Sequence, residues 1–591
     1  MGGCASPLGP VLPLPTLDSV SPPKVPADQP SSVAPWLFGA AILLPLLFVG
    51  WHAASFLCNA PFWDEFGTVL GFLTKYQQTD SWSGLLSLLT AQDNEHRILT
   101  SRLIFITIYQ LTGGVNFIHL AILGNLFGMG AIAVIAWQQP DRPLRWLLAA
   151  MLSLLVFQMQ HYENLFLSYA SIDHFHVVLL CAGSLALLAR GRRWTDAGAL
   201  LVAGLAVFTL THGLAVFPAG ALLLVCQRRW RSLTLWGAGT LAIGAFFLWE
   251  FANLDRPLPA LAGLAGWRTL GHFWLTLLGG VPALGSAVLG PVFGALALAA
   301  VAWLWHRGAF VRDPFLGALI ACVLIAALVI SYGRFGVEGV PPLSSRYMVQ
   351  SAVLWAALGL LGLKTIGDPR FVVRRGLVLV PLLAGLSGAA DLRFFREARF
   401  FVHKRIEATR YYDKHGTFKG APYPVFPNPQ LADQLLVMAQ KSGIFQLQLR
   451  STPQVHIAAE TEECTLASNF DEITVGLTHV HLRGWLLPPS AQEAAFEPHL
   501  ILRTGTREFV FRGIRENRPD VARSFQRPYA AGCGFYFVVP RNLLPKSKLQ
   551  ISLALVGRWR ALVSATDREF VNQRTAVAAI GPASTETTTD D

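Results

Sequence analysis

Residues 314–333 read PFLGALIACVLIAALVISYG, a run of twenty without a charged side chain. As a helix rising about 1.5 Å per residue, such a run crosses the roughly 30 Å hydrocarbon core of a bilayer. The rest of the chain has the same character, because 53% of its 591 residues are hydrophobic and only 14% are charged, whereas soluble domains carry about 25% charged residues. We therefore expect an α-helical polytopic membrane protein.

Further apolar runs predict about eleven transmembrane helices in all. Several of them are short, which suits tilted or broken spans. The predicted spans are 36–57, 115–137, 144–160, 175–190, 197–211, 213–227, 233–252, 286–305, 314–333, 347–364 and 374–391.

Basic residues mark one side of the predicted bundle. They occupy five linkers between spans, at 140–145, 190–193, 228–231, 306–312 and 364–375. The positive-inside rule places such linkers in the cytoplasm, so the net charge of +11 marks loops and does not indicate a nucleic-acid partner. All five fall on one side if the short segment Ile98–Thr112, which Arg102 interrupts, lies along the outer surface. The amino terminus is then inside, and everything after about residue 392 is outside.

Composition divides the chain into five parts. Residues 1–35, rich in Pro and Ser, predict a disordered cytoplasmic leader, and 36–391 form the transmembrane body with a large outer loop at 58–114. Basic and aromatic residues at 392–455 predict extracytoplasmic surface helices. Alternating residues such as those at 549–555, and a hairpin around Thr504-Gly505-Thr506, predict a β-sandwich over 456–575. Residues 576–591 predict a disordered tail.

Two adjacent carboxylates follow the first predicted span, in Phe62-Trp63-Asp64-Glu65-Phe66. An acidic pair at a helix start can simply interact favourably with the helix dipole. At a bilayer surface, a carboxylate can also act as a general base on an acceptor hydroxyl, and two together could hold Mg²⁺ or Mn²⁺. Because uncompensated charge at a membrane is costly, Asp64 and Glu65 are the candidate catalytic residues.

A second polar motif, Asn94-Glu95-His96-Arg97, lies in the same outer loop. A salt-bridged surface helix would explain it, and an interfacial anchor would explain Arg346 and Tyr347 at the start of a later span. Guanidinium groups also bind phosphate through paired hydrogen bonds. The candidate phosphate-binding residues are Arg97, Arg102 and Arg346.

Polar residues at the other predicted outer ends complete the candidate site. The group His161, Glu163, His174 and His176 has the composition of a metal site, but its spacings match no metal motif. We expect polar lining of a cavity instead. The candidate pocket-lining residues are Glu95, His96, His161, Glu163, His212 and Tyr347.

Together these features resemble the GT-C membrane glycosyltransferases of bacterial type. The resemblance rests on Trp63-Asp64-Glu65 opening a large first outer loop, on Asn94-Glu95-His96-Arg97 and Ser345-Arg346-Tyr347, and on a soluble domain after the last span. It covers most of residues 36–450 as topology and short motifs. It implies a polyprenyl-phosphate sugar donor and a glycan, lipid or protein acceptor on the outer face of a bacterial plasma membrane.

The resemblance also implies roles for individual residues. Asp64, with Glu65 as the alternative, would take the acceptor proton, while Arg97 and Arg346 would stabilise the departing lipid phosphate. A single displacement would invert the anomeric carbon of the hexosyl or pentosyl group. Some members of the family use a divalent metal and others do not, and these residues do not decide between the two.

Other functional classes explain fewer of these residues. A transporter or flippase of polar or lipid-linked substrates would place titratable groups near the bilayer midplane, where the sequence has few. A membrane scaffold would leave the outer carboxylates and arginines without a role. An acyltransferase could use His96 or His212 but has no use for the acidic pair.

Overall fold

The computed structural model of the chain describes residues 33–249, 251, 263–335, 341–449, 451–505 and 507–573. The predicted tail, and all but the last three residues of the predicted leader, lie outside these ranges. Within them, the structure is mostly helical, and a β domain with two sheets follows the helical part.

The described part of the chain contains twenty α-helices. They are α1 Val33–Phe56, α2 Phe72–Gln77, α3 Trp82–Thr90, α4 Leu99–Thr112, α5 Phe117–Trp137, α6 Arg142–Val156, α7 Tyr162–Phe166, α8 Ser168–Ala170, α9 His176–Ala189, α10 Arg193–Val207, α11 Val216–Cys226, α12 Trp230–Leu248, α13 Gly263–Leu278, α14 Leu289–His306, α15 Ala309–Arg312, α16 Pro314–Arg334, α17 Met348–Ile366, α18 Pro369–His415, α19 Pro429–Lys441 and α20 Pro519–Ser524. Two π-helical segments, Glu65–Gly71 and Ser171–Phe175, continue directly into α2 and α9.

Eight helical segments of the described residues are long and apolar enough to cross a membrane. They are Ala34–Phe56, Phe117–Trp137, Ser168–Ala189, Trp230–Leu248, Leu289–His306, Pro314–Arg334, Ser345–Ile366 and Pro369–His415. A ninth span is possible if Arg142–Val156 and Met159–Phe166, which meet at a bend of 59°, cross as one unit.

These segments correspond to most of the eleven predicted spans. Eight predicted runs coincide with the eight long segments, and 144–160 coincides with the bent pair. The runs 197–211 and 213–227 correspond to the shorter helices α10 and Thr211–Cys226, so the number of crossings stays a prediction. The apolar pattern missed α13, because Arg268 and His272 interrupt it.

Basic residues at the ends of several helices pair with polar residues of neighbouring helices. Lys364 at the end of α17 forms an ion pair of 2.5 Å with Asp313 and a 2.8 Å hydrogen bond with Gln139. Arg229, which precedes α12, pairs with Asp196 of α10. Gln138, at the end of α5, and Arg190, at the end of α9, line one groove. The Lys364 cluster and the Arg229 cluster therefore lie at the same end of the bundle. This is the arrangement that the positive-inside rule requires.

Helix α18 runs unbroken for 47 residues, from Pro369 to His415. At about 1.5 Å per residue it is roughly 70 Å long, more than twice the thickness of a hydrocarbon core. The prediction of a separate surface helix beginning at 392 is therefore wrong. Gly385 and Gly388 lie between the apolar half and the basic half but do not break the helix. The helix ends only at Gly416, whose φ of +78° caps it.

The β domain consists of a five-stranded sheet in the order β1-β9-β8-β4-β5 and a four-stranded sheet in the order β2-β3-β7-β6. Apolar side chains from both sheets, among them Leu482, Phe537, Leu500 and Leu553, form one hydrophobic cluster. The predicted hairpin is confirmed as the antiparallel pair of β4 and β5. The strands are β1 Glu460–Glu463, β2 Ser468–Val475, β3 His479–Leu486, β4 Glu497–Thr504, β5 Arg507–Arg512, β6 Ile514–Glu516, β7 Gly534–Pro540, β8 Lys548–Val556 and β9 Arg560–Val571.

The β domain attaches to the end of α18 through the buried Asp413 carboxylate. Its Oδ1 accepts hydrogen bonds from the backbone N–H and the hydroxyl of Thr478, at 2.8 and 2.7 Å. Its Oδ2 lies 2.8 Å from Nε2 of His481, a fully buried side chain. Such a network is stable only when every member has its partner, so this carboxylate holds the β2–β3 turn against α18.

We expect Asp413→Ala to loosen the β domain. The substitution leaves the buried His481 and Thr478 without their acceptor, which costs about 3 kcal/mol or more. Limited proteolysis of the segment at 451–459 should become faster. The control is Arg503→Ala, which removes only an exposed pair with Glu508 inside the β domain. Equal cleavage of the two variants would contradict this role.

Candidate active site

Polar side chains from segments far apart in the sequence meet at the opposite ends of the helices from the basic linkers. At their centre is Arg346, which begins the span Ser345–Ile366. Its Nε lies 3.0 Å from Oε2 of Glu163, and its Nη1 lies 3.9 Å from Oδ2 of Asp64. Three predicted site residues, from the first loop, the α6–α7 region and the start of α17, are thus in one ion-paired group.

A second ion-paired group includes Glu95, at the middle of the loop motif. Glu95 pairs with Arg334 at the end of α16, and its Oε1 lies 3.6 Å from Nε2 of His96. The other ring nitrogen of His96 is 2.7 Å from the Thr211 hydroxyl. Arg334 and Glu95 are close enough to Asp64 to influence its pKa, so the two groups are parts of one site. Glu338, four residues after Arg334 in the sequence, lies outside the described residues.

Two buried histidines border this site. The rings of His174 and His212 stack with their centroids 6.0 Å apart, and the His174 ring meets Tyr347 edge-on at 5.5 Å. Nδ1 of His174 and Nε2 of His212 are buried and have no hydrogen-bond partner among the described residues. A buried polar atom without a partner costs about 1–3 kcal/mol, which points to a hydrogen bond with water or substrate.

The backbone of the site departs from regular geometry. Trp63 and Asn94, which immediately precede Asp64 and Glu95, have φ of +48° and +49°. This left-handed conformation is unusual for a bulky side chain such as Trp63. The π-helical segment Glu65–Gly71 begins directly after Asp64, and the π-helical segment Ser171–Phe175 contains His174. Strained residues and π-helical turns are both enriched at functional sites.

Asp64 is the accessible carboxylate of the predicted pair. Its side chain keeps 43% of its exposure, so a small hydroxyl can approach it. Partial removal from water raises the pKa of this carboxyl above its usual value of 3.8, while the positive charges of Arg346 and Arg334 offset part of the rise. These surroundings make Asp64 a stronger base than a carboxylate in open water.

Glu65 points the other way and is completely buried. Its Oε2 accepts the Phe62 N–H at 2.9 Å and lies 3.4 Å from Nη2 of Arg405, while its Oε1 accepts the Tyr169 N–H at 3.3 Å and the Ser168 hydroxyl. Burial raises the pKa of this carboxyl, and Arg405 opposes the rise. Both oxygens are engaged, so Glu65 holds the loop to α18 and has no access to substrate.

The same engagement argues against a metal held by the two acids together. The side chains of Asp64 and Glu65 diverge, and the described residues contain no group of three or more His, Cys, Asp or Glu placed to hold a metal ion. Glu163 and Glu95, two further acids near Asp64, each pair with an arginine. The Asp64 and Glu65 side chains therefore do not fit the Mg²⁺ or Mn²⁺ site that the sequence left open.

Arg97 and Arg102 are occupied by backbone carbonyls at helix ends. Arg97 donates to Thr90 O at 2.5 Å, to Phe247 O at 2.9 Å and to Trp249 O. Arg102 donates to the carbonyls of Leu88, Leu89 and Ala91 at 2.5 to 3.1 Å. The last carbonyls of a helix need outside donors, and these arginines supply them for α3 and α12. Both side chains are buried, at 7% exposure.

Some residues were placed differently from the prediction or missed by it. His161 is buried, and its Nε2 contacts Leu155 O at 2.9 Å, within the bend after α6. Arg334 belongs to the site but was not among the candidate site residues, and His174 was expected only as part of a polar cavity lining. No local signal separates Arg334 from an ordinary interfacial arginine, because its partner Glu95 is more than 200 residues away in the sequence.

Comparison with protein-family models, with curated proteins and with solved structures found no significant match to this chain. The function therefore has to be inferred from the site itself.

The two acids are expected to differ in their effect on stability. Glu65→Gln leaves the buried Arg405 without its counter-charge and should lower the free energy of unfolding by about 3–5 kcal/mol. Asp64→Asn removes a half-exposed carboxylate and should cost less than about 1 kcal/mol. Thermal unfolding of the purified variants in detergent measures both. Equal losses of stability would show that Glu65 is not the structural member of the pair.

Proposed function

We propose that the protein is a membrane glycosyltransferase that moves a sugar from a polyprenyl-phosphate donor to an acceptor hydroxyl on the extracytoplasmic face. The observation that supports this most is the half-exposed Asp64 carboxylate 3.9 Å from the Arg346 guanidinium, at the outer ends of the candidate spans. A base and a cation side by side are what a displacement with an anionic leaving group requires.

The displacement follows from these charges. Asp64 accepts the proton of the acceptor hydroxyl as the oxygen attacks the anomeric carbon. The bond from that carbon to the phosphate oxygen breaks, and its electron pair stays on the departing lipid phosphate. Attack from the face opposite the phosphate inverts the anomeric carbon. Because the membrane holds the donor beside the site, much of the entropic cost of the encounter is met before the reaction.

Arg346 and Arg334 are the proposed phosphate-binding residues. Each faces a carboxylate, Glu163 or Glu95, that fixes its position before substrate arrives, and each keeps part of its surface exposed, at 30% and 23%. Arg97 donates to backbone carbonyls through all three of its side-chain nitrogens, and Arg102 does so through Nη1. Both side chains are buried, so we move the proposed phosphate contact from these two residues to Arg334. The unpartnered nitrogens of His174 and His212 suit hydrogen bonds to the same phosphate or to sugar hydroxyls.

The proposal includes an orientation for the molecule. With eleven spans and a cytoplasmic amino terminus, the site and the β domain, proposed to be a β-sandwich, face the outside of a bacterial plasma membrane. The clustering of the basic linkers at the other end of the bundle supports this orientation.

The decisive experiment supplies membranes containing the protein with a radiolabelled polyprenyl-phosphate sugar. Wild type should transfer label to an endogenous acceptor, and Asp64→Asn should lower the rate by about 10²–10⁴-fold, the usual contribution of a general base. The matched control is Asp141→Asn, an exposed acid in the basic linker before α6, at the other end of the helices.

Three outcomes of this assay would contradict the proposal. They are normal transfer by correctly inserted Asp64→Asn, absence of any transfer by wild type, and movement of the donor across the membrane without a new glycosidic bond. The last result would identify a flippase. EDTA in the same assay should leave the rate unchanged, because the carboxylates among the described residues are not grouped to hold a metal ion.

The pH profile of transfer tests the assignment of the base. The ionised form of Asp64 is the active one, so kcat/KM should fall as the pH falls through its pKa, and burial places this decline above pH 3.8. Arg346→Gln removes a charge that lowers the pKa of Asp64 and should shift the decline to higher pH. Arg503→Gln, in the β domain, is the control. A decline that stays in place or moves to lower pH in Arg346→Gln would exclude Asp64 as the titrating group.

A further inference from the structure

A second open cleft lies on the first loop, apart from the ion-paired site. It has a volume of about 370 Å³ and lies between the end of α2, the start of α3 and the end of α4. The largest lining side chains are Trp82, Tyr76 and Tyr109, with Gln77, Asp80 and Gln110 among the polar ones. Trp82 is 87% exposed, so most of its indole ring is open to contact with a ligand.

The hydroxyls of Tyr76 and Tyr109 and the carboxylate of Asp80 can form hydrogen bonds with a ligand in this cleft. Tyr76 OH accepts a hydrogen bond from Nε2 of Gln110 at 3.0 Å, and Tyr109 OH accepts one from Gln77. Because each hydroxyl accepts from an amide, its own hydrogen is left to donate outward. The Asp80 carboxylate is exposed and has no ion pair among the described residues. The cleft therefore presents hydroxyl donors, a carboxylate acceptor and aromatic faces.

This combination identifies the class of ligand. A sugar ring has an apolar C–H face, which packs on an aromatic ring, and an edge of hydroxyls, which need both donors and acceptors. A lipid chain would use the rings but leave the carboxylate and hydroxyls unpaired, at a cost for each group. A phosphate or another anion would be repelled by Asp80. A neutral carbohydrate uses every group in the cleft.

One helical segment joins the cleft to Asp64. The π-helical turn Glu65–Gly71 continues directly into α2, and Asp64, Thr68, Phe72 and Tyr76 follow each other at intervals of four. The last three of these all contact residues of the segment 93–109, so the helical segment packs along that part of the loop. Twelve residues at about 1.5 Å each separate Asp64 from Tyr76 by roughly 15–20 Å, a distance that a chain of several sugars spans.

We propose that the cleft formed by Tyr76, Asp80, Trp82 and Tyr109 binds the acceptor, and that this acceptor is a carbohydrate chain whose reacting end reaches Asp64. The inference rests on the proposed glycosyl transfer and names its acceptor class. Trp82 packs against a sugar ring, while Asp80 and the two tyrosine hydroxyls bind its hydroxyl groups.

The test is direct binding, which requires neither donor nor catalysis. The full-length protein in lipid nanodiscs is exposed to a panel of neutral oligosaccharides of glucose, mannose, galactose or arabinose, and binding is followed by saturation-transfer NMR. We expect wild type to bind at least one member, and Trp82→Ala to bind it at least tenfold more weakly. Trp559→Ala, which removes a 75% exposed Trp of the β domain, is the matched control.

Three results would overturn the inference. The first is binding of no panel member by wild type, and the second is binding by Trp82→Ala as tight as that of wild type. The third is a spin label at Trp82→Cys that collides with oxygen in the lipid and not with an aqueous nickel complex, because Trp82 would then be a membrane anchor. Loss of transfer in Asp64→Asn alongside any of these results would leave the glycosyltransferase proposal standing, and only the acceptor class would fall.

Discussion

The ion pair between Glu65 and Arg405 is the interaction on which the site depends. Both side chains are almost completely buried, at 0% and 1% exposure. A buried charge is tolerated only with a counter-charge and further hydrogen bonds, and Arg405 obtains these from the carbonyls of Phe166 and Ala60, at 2.9 and 2.5 Å. One guanidinium thus joins α18 to the exit of α1, to the end of α7 and to the start of the first loop.

The position of Asp64 is a consequence of this pair. Because the Glu65 side chain is held inside the protein, the Asp64 side chain is directed toward the accessible part of the site. The left-handed backbone conformation of Trp63 turns the chain at this point. The N–H of Trp63 also donates to Val425 O at 2.7 Å, so the turn is fixed on both sides. A general base must be held rigidly to act efficiently, and here the rigidity comes from the residue next to it in the sequence.

Helix α18 carries this arrangement out to the β domain. Arg405 and Asp413 are eight residues apart on α18, about two turns, and each makes a buried polar contact with a different partner, the first loop and the β2–β3 turn. A continuous helix transmits position better than a jointed linker would. The β domain is therefore oriented relative to the candidate site by the same helix that orients Asp64.

Local patterns in the sequence were sufficient for much of the architecture. Long apolar runs became long apolar helices, and alternating residues became strands such as β8, because both patterns express burial over a few neighbouring residues. The bias of Lys and Arg predicted the end of the bundle at which the basic linkers meet. The same bias predicted that Asp64, Glu95, Glu163 and Arg346 lie at the other end of the bundle, and the structure brings them together there.

The sequence by itself determined which elements form and which ends carry charge, whereas the tertiary structure decided what each charged residue does. Glu65 and Asp64 are equivalent in the sequence, yet one pairs with a residue 340 positions away and the other remains open. Arg97 looks as suitable for phosphate as Arg334, but helix ends from α3 and α12 take its donors. The role of a polar side chain depends on partners that are distant in the chain, and no local pattern contains them.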